Sequence, residues 1–428
     1  MPPRLHLSAV ALLLAVALYY LRLTPLVPTS LLVHLPTSVA KVLGGEQAEQ
    51  AVLQASTLQT ENTGLRDGES APADAPPSFK RHIVAVGDLH GDLPNALKVL
   101  KFSGVIDEAG DWTGIPDFFV QTGDIIDRGD DTIPLFDLMD KLRAQAPATG
   151  GVVLSHLGNH EWMNAIGDWR YVYPSEIKTF GSVSERQEML STGRIGRTWA
   201  ANYTTASRLP LHPALGPPNT PYPNTDSSAN TNSLLSHAAL SFVHGGLSPT
   251  YSSLAPFPSR MNELSDALLR KLQRRAQPPP HPPAPYPGLP ADTTAEEAEL
   301  YGADGPLWYR GWALGTEAEV CAAVDGVLRL TGTRRMIMGH TPDFHGIVSR
   351  CGGKIIIIDT GISHAYGGAL SALEVVYELV PVRKGEKEEA WVYREREVVN
   401  ALYVDGKELI ADDVRELSLR PEELEALS

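Results

Sequence analysis

Short apolar runs alternate along the chain with polar clusters that contain glycine and with amphipathic stretches. The apolar run at 152–157 leads directly into Gly-Asn-His-Glu at 158–161, a pattern typical of a buried strand that ends in a tight turn. Two upstream runs, at 82–86 and 118–121, also end in polar clusters, and the apolar spacing within 94–102 indicates a helix between them. Strand, polar loop and helix in succession predict a layered α/β domain, in which a site forms at the carboxyl ends of the strands.

The same patterns continue through the second half of the chain. The late apolar runs follow one another closely, and we interpret them as the second sheet of a sandwich. The proline-rich segment at 277–290 is interpreted as a spacer loop, because proline disrupts both helices and sheets. Further strands are predicted at 238–243, 335–338, 354–358, 372–379 and 390–393, and further helices at 133–146, 259–275 and 317–330.

An apolar run of fifteen residues, 7–21, lies near the N-terminus and is followed by Arg22. A membrane-spanning helix needs about 20 apolar residues, whereas the core of a signal peptide is shorter. The run predicts entry into the secretory pathway or endomembrane system, and leaves open a cleaved signal peptide or a signal anchor with membrane attachment through residues 7–22. In either case we expect the globular domain to be lumenal or extracellular.

Changes in composition predict the domain organisation. The stretch before residue 80 is polar, rich in Ala, Glu and Gln, and without strand periodicity, as in a linker. The predicted parts are a hydrophobic N-terminal segment at 1–43, a polar linker at 44–79, a globular domain at 80–405 with flexible insertions near 212–232 and 276–304, and a peripheral C-terminal tail at 406–428.

The net charge of −15 argues against a nucleic-acid surface. The acidity suits a protein that concentrates cations, and it is equally explained by solubility. The two cysteines, Cys321 and Cys351, are too few for a zinc motif or a disulfide framework. They either form one disulfide or remain as two buried thiols.

The ends of the predicted strands carry carboxylate, amide and imidazole side chains. Such a mixed oxygen and nitrogen set suits Mn, Fe or Zn, and it is too rich in nitrogen for calcium. Each cluster alone is common in solvated loops, but five clusters at five strand ends indicate one shared metal site. The candidate residues are Asp88, His90, Asp124, Asn159, His160, His244 and His340.

These clusters together resemble the metal signature of the calcineurin-like metallophosphoesterases. The Asp-Arg-Gly and Asn-His-Glu forms are similar to those of the phosphoprotein phosphatase branch, and the segment at 306–311 (Pro-Leu-Trp-Tyr-Arg-Gly) resembles the Shewanella-like phosphatases. The resemblance extends over about residues 80–380. The motifs that carry it are Gly87-Asp88-x-His90-Gly91, Gly123-Asp124-x-x-Asp127-Arg128-Gly129, Gly158-Asn159-His160-Glu161, His244-Gly245-Gly246 and Gly339-His340.

The resemblance implies one catalytic domain with a four-layer αββα sandwich, that is, two mixed sheets flanked by helices. It also implies two divalent metal ions, Mn or an Fe/Zn-type pair, about 3.5–4 Å apart, with a bridging hydroxide that attacks phosphorus in line. In this set Asp88 and His90 bind the first metal, and Asp124 bridges both. Asn159, His244 and His340 complete the second.

The catalytic residues implied by the resemblance are His160, Asp127, Arg128 and Arg310. Arg128 and Arg310, together with Asn159, contact the substrate phosphate, because a guanidinium matches phosphate oxygens in pairs. His160 protonates the leaving alkoxide or phenoxide, and Asp127 orients His160 and raises its pKa. The expected substrates are phosphoproteins or phosphopeptides, carrying phosphotyrosine or phosphoserine/threonine.

Two other functions remain open at this point. Nucleotide and dinucleoside polyphosphate hydrolases share the fold, but Glu161 and Arg128 favour the protein phosphatase branch. A non-catalytic scaffold would have lost metal ligands, and none of the six predicted ligands is missing from the sequence. His345 is the nearest histidine after His340 that could serve as a further ligand, and it is interpreted as a loop residue. Asp359 is interpreted as a turn residue that could orient a ligand.

Overall fold

Two sheets form the centre of the fold and bring six strand ends to one region. The computed structural model describes residues 74–223, 235, 237–385 and 390–424, all within one unit, Pro72–Ser428. The predicted N-terminal segment and nearly all of the linker lie outside the described residues. No helix within the described part of the chain is both long and apolar enough to cross a membrane.

The strands and helices follow the predicted alternation in the first half of the described chain. The strands are β1 (Phe79–Val86), β2 (Phe118–Gln121), β3 (Val152–His156), β4 (Tyr203–Thr204), β5 (Ala206–Pro210), β6 (Ala239–Val243), β7 (Arg335–Met338), β8 (Val348–Arg350), β9 (Ile355–Ile357), β10 (Ser371–Lys384), β11 (Trp391–Tyr403) and β12 (Gly406–Leu419). The helices are α1 (Leu93–Phe102), α2 (Thr132–Gln145), α3 (Asn159–Ile166), α4 (Pro174–Thr179), α5 (Val183–Ser191), α6 (Arg194–Asn202), α7 (Ser259–Arg274), α8 (Ala295–Leu300), α9 (Gly311–Leu314) and α10 (Glu317–Thr331).

Both sheets are mixed, and their parallel strands end at matching levels. The first sheet has the order β12-β11-β10-β1-β2-β3-β4, and the second has the order β5-β6-β7-β9-β8. Val86 lies opposite Gln121, and Gln121 lies opposite Ser155, so the loops after β1, β2 and β3 begin side by side. In the second sheet Met338 lies opposite both Val243 and Ile357, with the same result for β6, β7 and β9.

The alternation of side chains along β1 shows how the core is divided. Ile83 and Ala85 point between the sheets and join an apolar cluster with Phe242 of β6. Val84 and Val86 point the other way and join the cluster that includes the buried faces of the helices. Each central strand is therefore buried on both faces, and the two sheets flanked by helices confirm the predicted fold class.

Of the late strands that the sequence analysis assigned to the second sheet, β9 lies there, but β10 and β11 belong to the first sheet. β10 pairs antiparallel with β1, and β11 pairs with β10, so both extend the first sheet. β10 alternates buried and partly exposed positions, a pattern that fixes which face is covered without specifying a partner strand. The second sheet is instead built from β5 to β9.

The segments predicted as a flexible insertion (276–304) and as a peripheral tail (406–428) contain ordered elements. Within 276–304 the structure places α8, and His281 exchanges backbone hydrogen bonds with Gly167 and Trp169. The predicted C-terminal tail contains β12, which pairs with β11 along its length as an edge strand. Charged side chains along β12 obscured its strand character in the sequence, but such charges are typical of strands at a sheet edge.

The structure decides between the two alternatives left open for the cysteines, in favour of a disulfide. Cys321 of α10 and Cys351, directly after β8, are disulfide-bonded, with an S–S distance of 1.96 Å. The bond joins α10 to the β8–β9 hairpin.

Candidate metal centre

The loops after β1 and β2 are held against each other by their backbones. The N–H groups of Leu89 and His90 both donate to the carbonyl oxygen of Asp124, at 2.9 and 3.0 Å. Gly91 packs on Gly129 so closely that a Cβ on Gly91 would lie 2.7 Å from the carbonyl oxygen of Gly129. Only glycine allows this approach, which explains why glycine follows both polar clusters.

Five site residues other than glycine have a left-handed backbone, with φ between 43° and 70°. This conformation costs on the order of 1–3 kcal/mol for such residues, and it persists where the surroundings enforce it. Strain of this kind is concentrated at functional sites, and here it aims the side chains of both loops inward. The residues are His90, Asp124, Asp127, Arg128 and His340.

Glu161 is the residue that holds the second loop in this strained form. Its carboxylate accepts the N–H groups of Asp124 at 2.9 Å, Ile125 at 2.8 Å and Gly158 at 2.7 Å. The sequence analysis used Glu161 only to distinguish family branches. The available signal was its position in the first turn of α3, where a glutamate can accept the N–H of the residue before the helix.

Asp124 lies at the centre of the candidate ligand atoms. Its Oδ2 is 3.7 Å from Nε2 of His90 and 3.3 Å from Nε2 of His244. Among the predicted site residues, ligand atoms within 4.8 Å of one another form two groups, each of which includes Asp124. One group contains His90 and His160, and the other contains His244 and His340.

The orientation of the imidazoles fits metal binding. Nδ1 of His90 donates to the carbonyl oxygen of Ile126 at 3.0 Å, and Nδ1 of His244 donates to that of Thr122 at 2.9 Å. Metal-binding histidines typically donate one N–H to a carbonyl in this way, which leaves the other nitrogen for the ion. Nε2 of His340 is buried without a hydrogen-bond partner among the described atoms.

Asn159 and Asp88 complete the predicted set. Oδ1 of Asn159 lies 2.8 Å from Nε2 of His244, which places the ligand atoms of these two predicted ligands side by side. Asp88 accepts the N–H of His340 at 3.3 Å. All six predicted ligands are buried, and the structure brings them together as the sequence analysis expected.

Three buried carboxylates, Asp88, Asp124 and Asp359, form what we call the strand-end cluster, because each follows a parallel strand. Burial raises the pKa of Asp88 well above its usual value, and the charges of Asp359 and Asp124 raise it further. Burial also raises the pKa of Asp359 to about 6. Within the described residues no Lys or Arg pairs with these carboxylates, so the cluster is electrostatically suited to divalent cations.

Asp359 has more than the role of a turn residue. Its Oδ1 accepts the N–H of Gly361 at 3.0 Å, as expected for a turn. It is also buried and close enough to Asp88 to raise the pKa of that residue.

His160 and Asp127 form a close pair beside the ligand atoms. Nδ1 of His160 is 2.7 Å from Oδ2 of Asp127, and Nε2 of His160 faces Asp124 at 3.8 Å. Burial opposes protonation of His160, but the charge of Asp124 and the hydrogen bond to Asp127 outweigh it and raise the pKa. This arrangement can deliver a proton from Nε2.

The two predicted phosphate-binding arginines are held by different means. Arg128 is stacked between Tyr171 and Tyr366, with Cζ 4.3 and 4.9 Å from the ring centroids, and its Nε has no hydrogen-bond partner among the described atoms. Arg310 donates from Nη1 to the carbonyl oxygen of His340 at 2.9 Å. Both guanidinium groups therefore lie beside the metal-ligand cluster.

The Arg310 segment is placed by a backbone contact with the loop after β6. The N–H of Gly245 donates to the carbonyl oxygen of Pro306 at 2.7 Å. A Cβ on Gly245 would lie 2.8 Å from the backbone nitrogen of Trp308, so a larger residue would push the segment away. Trp308 in turn contacts the ring edge of His340, with centroids 5.5 Å apart.

Other histidines near the motifs lie outside the ligand set. His345 is exposed and pairs with Asp343 at 3.1 Å, as predicted for a loop residue. His364 pairs with Asp92 at 2.8 Å. The sequence analysis did not identify Tyr171 and Tyr366, because isolated tyrosines in loops carry no pattern.

Comparisons with known proteins agree with this geometry. The calcineurin-like phosphoesterase family matches residues 81–343. An uncharacterized protein of Schizosaccharomyces pombe is 37% identical over 298 residues, which cover 68% of this chain and 76% of that protein. Shewanella-like protein phosphatase 2 of Arabidopsis thaliana is 28% identical over 330 residues, which cover 69% and 74%.

Among solved structures, a cold-active protein-tyrosine phosphatase of a psychrophilic Shewanella species superposes with a TM-score of 0.53. The two proteins are 22% identical, over 77% of this chain and 80% of that one, so the likeness concerns the fold alone. The match over residues 81–343, which is more than half of the chain, is sufficient to assign the family. This chain therefore belongs to the calcineurin-like phosphoesterases, a family of hydrolases that bind two metal ions.

Proposed function

We propose that this protein is a dinuclear metal-dependent phosphomonoesterase that dephosphorylates phosphoproteins. The observation that carries the proposal is the pair of buried ligand groups that share Asp124, next to the hydrogen-bonded pair of His160 and Asp127. A shared carboxylate suits a two-ion centre, and a histidine beside it suits protonation of a leaving group.

The proposed ligands divide between two ions. Asp88, His90 and Asp124 hold the first, and Asp124 also holds the second together with Asn159, His244 and His340. When bound, the ions supply Lewis acidity and lower the pKa of water for attack on phosphorus. Manganese is our first candidate, with an Fe/Zn pair as the alternative.

The remaining residues act on the substrate. Arg128, Arg310 and the amide of Asn159 bind the phosphate oxygens, where guanidinium groups offset the charge that develops in the transition state. His160 donates its Nε2 proton to the departing oxygen. Asp127 accepts the Nδ1–H of His160, which keeps that proton on Nδ1. The second proton of the cationic imidazole is therefore the one on Nε2.

The substrate class is supported by the relatives and by the site. Proteins named Shewanella-like protein phosphatases align over about two thirds of the chain. Within the site, Arg128 and Glu161 are the residues that distinguish the protein phosphatase branch from nucleotide hydrolases. The substrate is therefore a phosphorylated side chain, with phosphotyrosine and phosphoserine/threonine as the two forms to compare.

The proposal is tested with the full-length protein stripped of metal by a chelator and reloaded with Mn, Fe, Zn or Mg. Phosphate release is measured from three peptides that differ only in phosphotyrosine, phosphoserine or phosphothreonine, and from nucleotides and a dinucleoside polyphosphate. We expect no turnover without metal, two bound ions per chain, and higher kcat/KM for a phosphopeptide. Higher kcat/KM for a nucleotide, or one ion at full activity, would contradict the proposal.

We further propose that the protein enters the secretory pathway through the apolar segment at 7–21, with its catalytic domain lumenal or extracellular. The disulfide between Cys321 and Cys351 supports this, because such bonds persist in oxidising compartments. The sequence Asn202-Tyr203-Thr204 is an N-glycosylation sequon, and its use would be detected as a glycan on the protein isolated from its own cells. A reduced, unglycosylated protein in the cytosolic fraction would refute the proposal.

A further inference from the structure

Arg186 of α5 is a fully buried arginine next to the proposed proton donor, and the mechanism above does not use it. Its Nη1 donates to Oδ1 of Asn164 at 2.7 Å. Its Nη2 donates to Glu176 at 3.1 Å and lies 3.5 Å from Oδ1 of Asp127. Its Cζ also stacks 4.4 Å from the ring centroid of Trp169, so the guanidinium is held at both Nη atoms and by an aromatic ring.

Stability alone is a poor explanation for this arrangement. Removing a guanidinium and a carboxylate from water costs several kcal/mol per ion, and replacing buried ion pairs by apolar residues is often neutral or stabilising. Here Nε of Arg186 and Oε2 of Glu176 also lack hydrogen-bond partners among the described atoms. A buried charge that leaves polar atoms unsatisfied calls for a role in orientation.

The contacts of Arg186 determine how the amide of Asn164 is oriented. A guanidinium only donates hydrogen bonds, so the oxygen of Asn164 must face Arg186. The amide nitrogen must then face the other way, where it donates to Oδ1 of Asp127 at 2.9 Å and to the carbonyl oxygen of His160 at 2.9 Å. With its Oδ1 held in this way, Asp127 presents Oδ2 to Nδ1 of His160 at 2.7 Å.

Arg186 also places a positive charge next to the carboxylates in this chain of contacts. The positive charge of Arg186 lies between the carboxylates of Asp127 and Glu176, at 3.5 and 3.1 Å. The Oδ2 atom of Asp127 accepts the hydrogen bond from Nδ1 of His160, so Nδ1 is occupied by this contact. The proton available for transfer is then the one on Nε2.

We propose that Arg186 is a positioning residue for protonation of the leaving group, an inference that rests on the proposed phosphatase function. In that step an oxygen derived from water bonds to phosphorus and the bond to the leaving oxygen breaks. The electron pair of the broken bond stays on the leaving oxygen, which takes the Nε2 proton of His160. Arg186 fixes Asn164 and Asp127 so that Nε2 points to that oxygen.

The test compares aryl phosphates whose leaving groups differ in basicity. Phenyl phosphate needs protonation of its leaving oxygen, whereas 2,4-dinitrophenyl phosphate departs as a stable anion. For Arg186→Met we expect kcat with phenyl phosphate to fall about 10²-fold, and kcat with the dinitrophenyl ester to change by less than about threefold, with KM nearly constant. Arg186→Lys should recover part of the loss, because lysine also only donates and keeps the charge.

The benchmark is His160→Asn, which should show the same dependence on the leaving group. The double variant Arg186→Met/His160→Asn should lose no more than His160→Asn alone, since both act on one proton transfer. Bound metal, measured by elemental analysis, should stay at two ions per chain in Arg186→Met, in His160→Asn and in the double variant. If Arg186→Met does not fold, Asn164→Ala takes its place as the test variant. It removes the side-chain amide that bridges Arg186 and Asp127 and should show the same dependence of kcat on the leaving group.

A matched control is Arg335, another buried arginine with carboxylate partners, on β7. Arg335→Lys should lower thermal stability without any dependence of kcat on the leaving group. Equal losses of kcat for both esters in Arg186→Met, or additive losses in the double variant, would overturn the proposed role of Arg186. If His160→Asn itself shows no dependence on the leaving group, the proposed acid of the phosphatase mechanism fails instead.

Discussion

Two groups of buried charges in this protein are built in opposite ways. The strand-end cluster (Asp88, Asp124 and Asp359) gathers carboxylates whose close partners in the described structure are histidines and backbone N–H groups. A second group, which we call the inter-sheet cluster, joins β7 to β11 and pairs each carboxylate with an arginine. Its members are Arg334, Arg335, Glu395 and Glu397.

The inter-sheet cluster has equal numbers of positive and negative side chains, and neighbouring protein groups complete its hydrogen bonds. Arg334 reaches Glu395 at 2.7 Å and Glu397 at 3.2 Å, and the hydroxyl of Tyr377 donates to Glu395 at 2.8 Å. Such a set has no need of a ligand, because the protein itself supplies every countercharge. The strand-end cluster lacks this internal compensation, and that difference marks it as a binding site for cations.

The largest expected effect comes from Asp124→Asn, which removes the shared carboxylate of the strand-end cluster. We expect loss of bound metal together with a fall in kcat/KM of about 10⁴-fold or more, because Lewis-acid stabilisation worth several kcal/mol is lost. Elemental analysis and phosphate release measure the two effects. A variant that keeps two ions per chain would show that Asp124 does not bridge them.

His160→Asn tests whether His160 is a metal ligand or a proton donor that lies next to the strand-end cluster. Its Nε2 is close enough to Asp124 and His90 to bind metal, but the pairing with Asp127 favours proton transfer. We expect turnover to fall about 10²–10⁴-fold while metal content stays unchanged. Loss of one ion would instead make His160 a ligand, and unchanged turnover would exclude both roles.

Much of this site could be predicted from the sequence because its parts are local. Each of Asp88, Asp124 and His244 follows an apolar run within a few residues, and parallel strands bring such ends together. The placement of β10 could not be predicted, because period-two alternation shows that one face is buried without identifying the neighbouring strand.

The residues that support the site were also missed, for a related reason. Arg186 lies in a helix with many polar residues, where an arginine in sequence resembles a solvated one. Its burial depends on Asp127 and Asn164, which lie 59 and 22 positions earlier in the chain. Contacts at such separations leave no periodic pattern, so only the folded chain shows them.

Glu397→Gln tests the stability side of the comparison. It leaves Arg335 buried with part of its countercharge removed, and breaking a buried pair in this way costs about 3–5 kcal/mol. We expect a corresponding fall in the free energy of unfolding, measured with denaturant, and unchanged kcat for the folded protein. A fall below about 1 kcal/mol would mean that the inter-sheet cluster is solvated in solution.

Asp88→Asn should stabilise the metal-free protein, whereas Glu397→Gln destabilises it. Asp88 is buried beside Asp359 and Asp124, and removing its charge relieves repulsion that no Lys or Arg in the described structure offsets. We expect the free energy of unfolding of the stripped protein to rise by about 1–2 kcal/mol. With saturating metal the same variant should be less stable than the wild type, and a loss of stability in both states would contradict the comparison.

The smallest effect is expected for Asp412→Asn, which separates the influence of burial from that of pairing. Arg396 and Asp412 form two hydrogen bonds of 2.8 and 2.7 Å between β11 and β12, but both side chains are about one quarter exposed. Pairs in contact with water contribute about 1 kcal/mol or less. We therefore expect a loss of that size near neutral pH, from the same denaturant measurement.

The pH dependence of this small effect has a definite sign. The hydrogen bond to Arg396 lowers the pKa of Asp412 in the folded state, so the pair stabilises the protein above the unfolded pKa of about 3.9. The difference between wild type and Asp412→Asn should shrink as the pH falls below that value, because the carboxylate becomes protonated. A loss above about 2 kcal/mol near neutral pH would show that pairing, and not burial, sets the strength of the charges in this sheet.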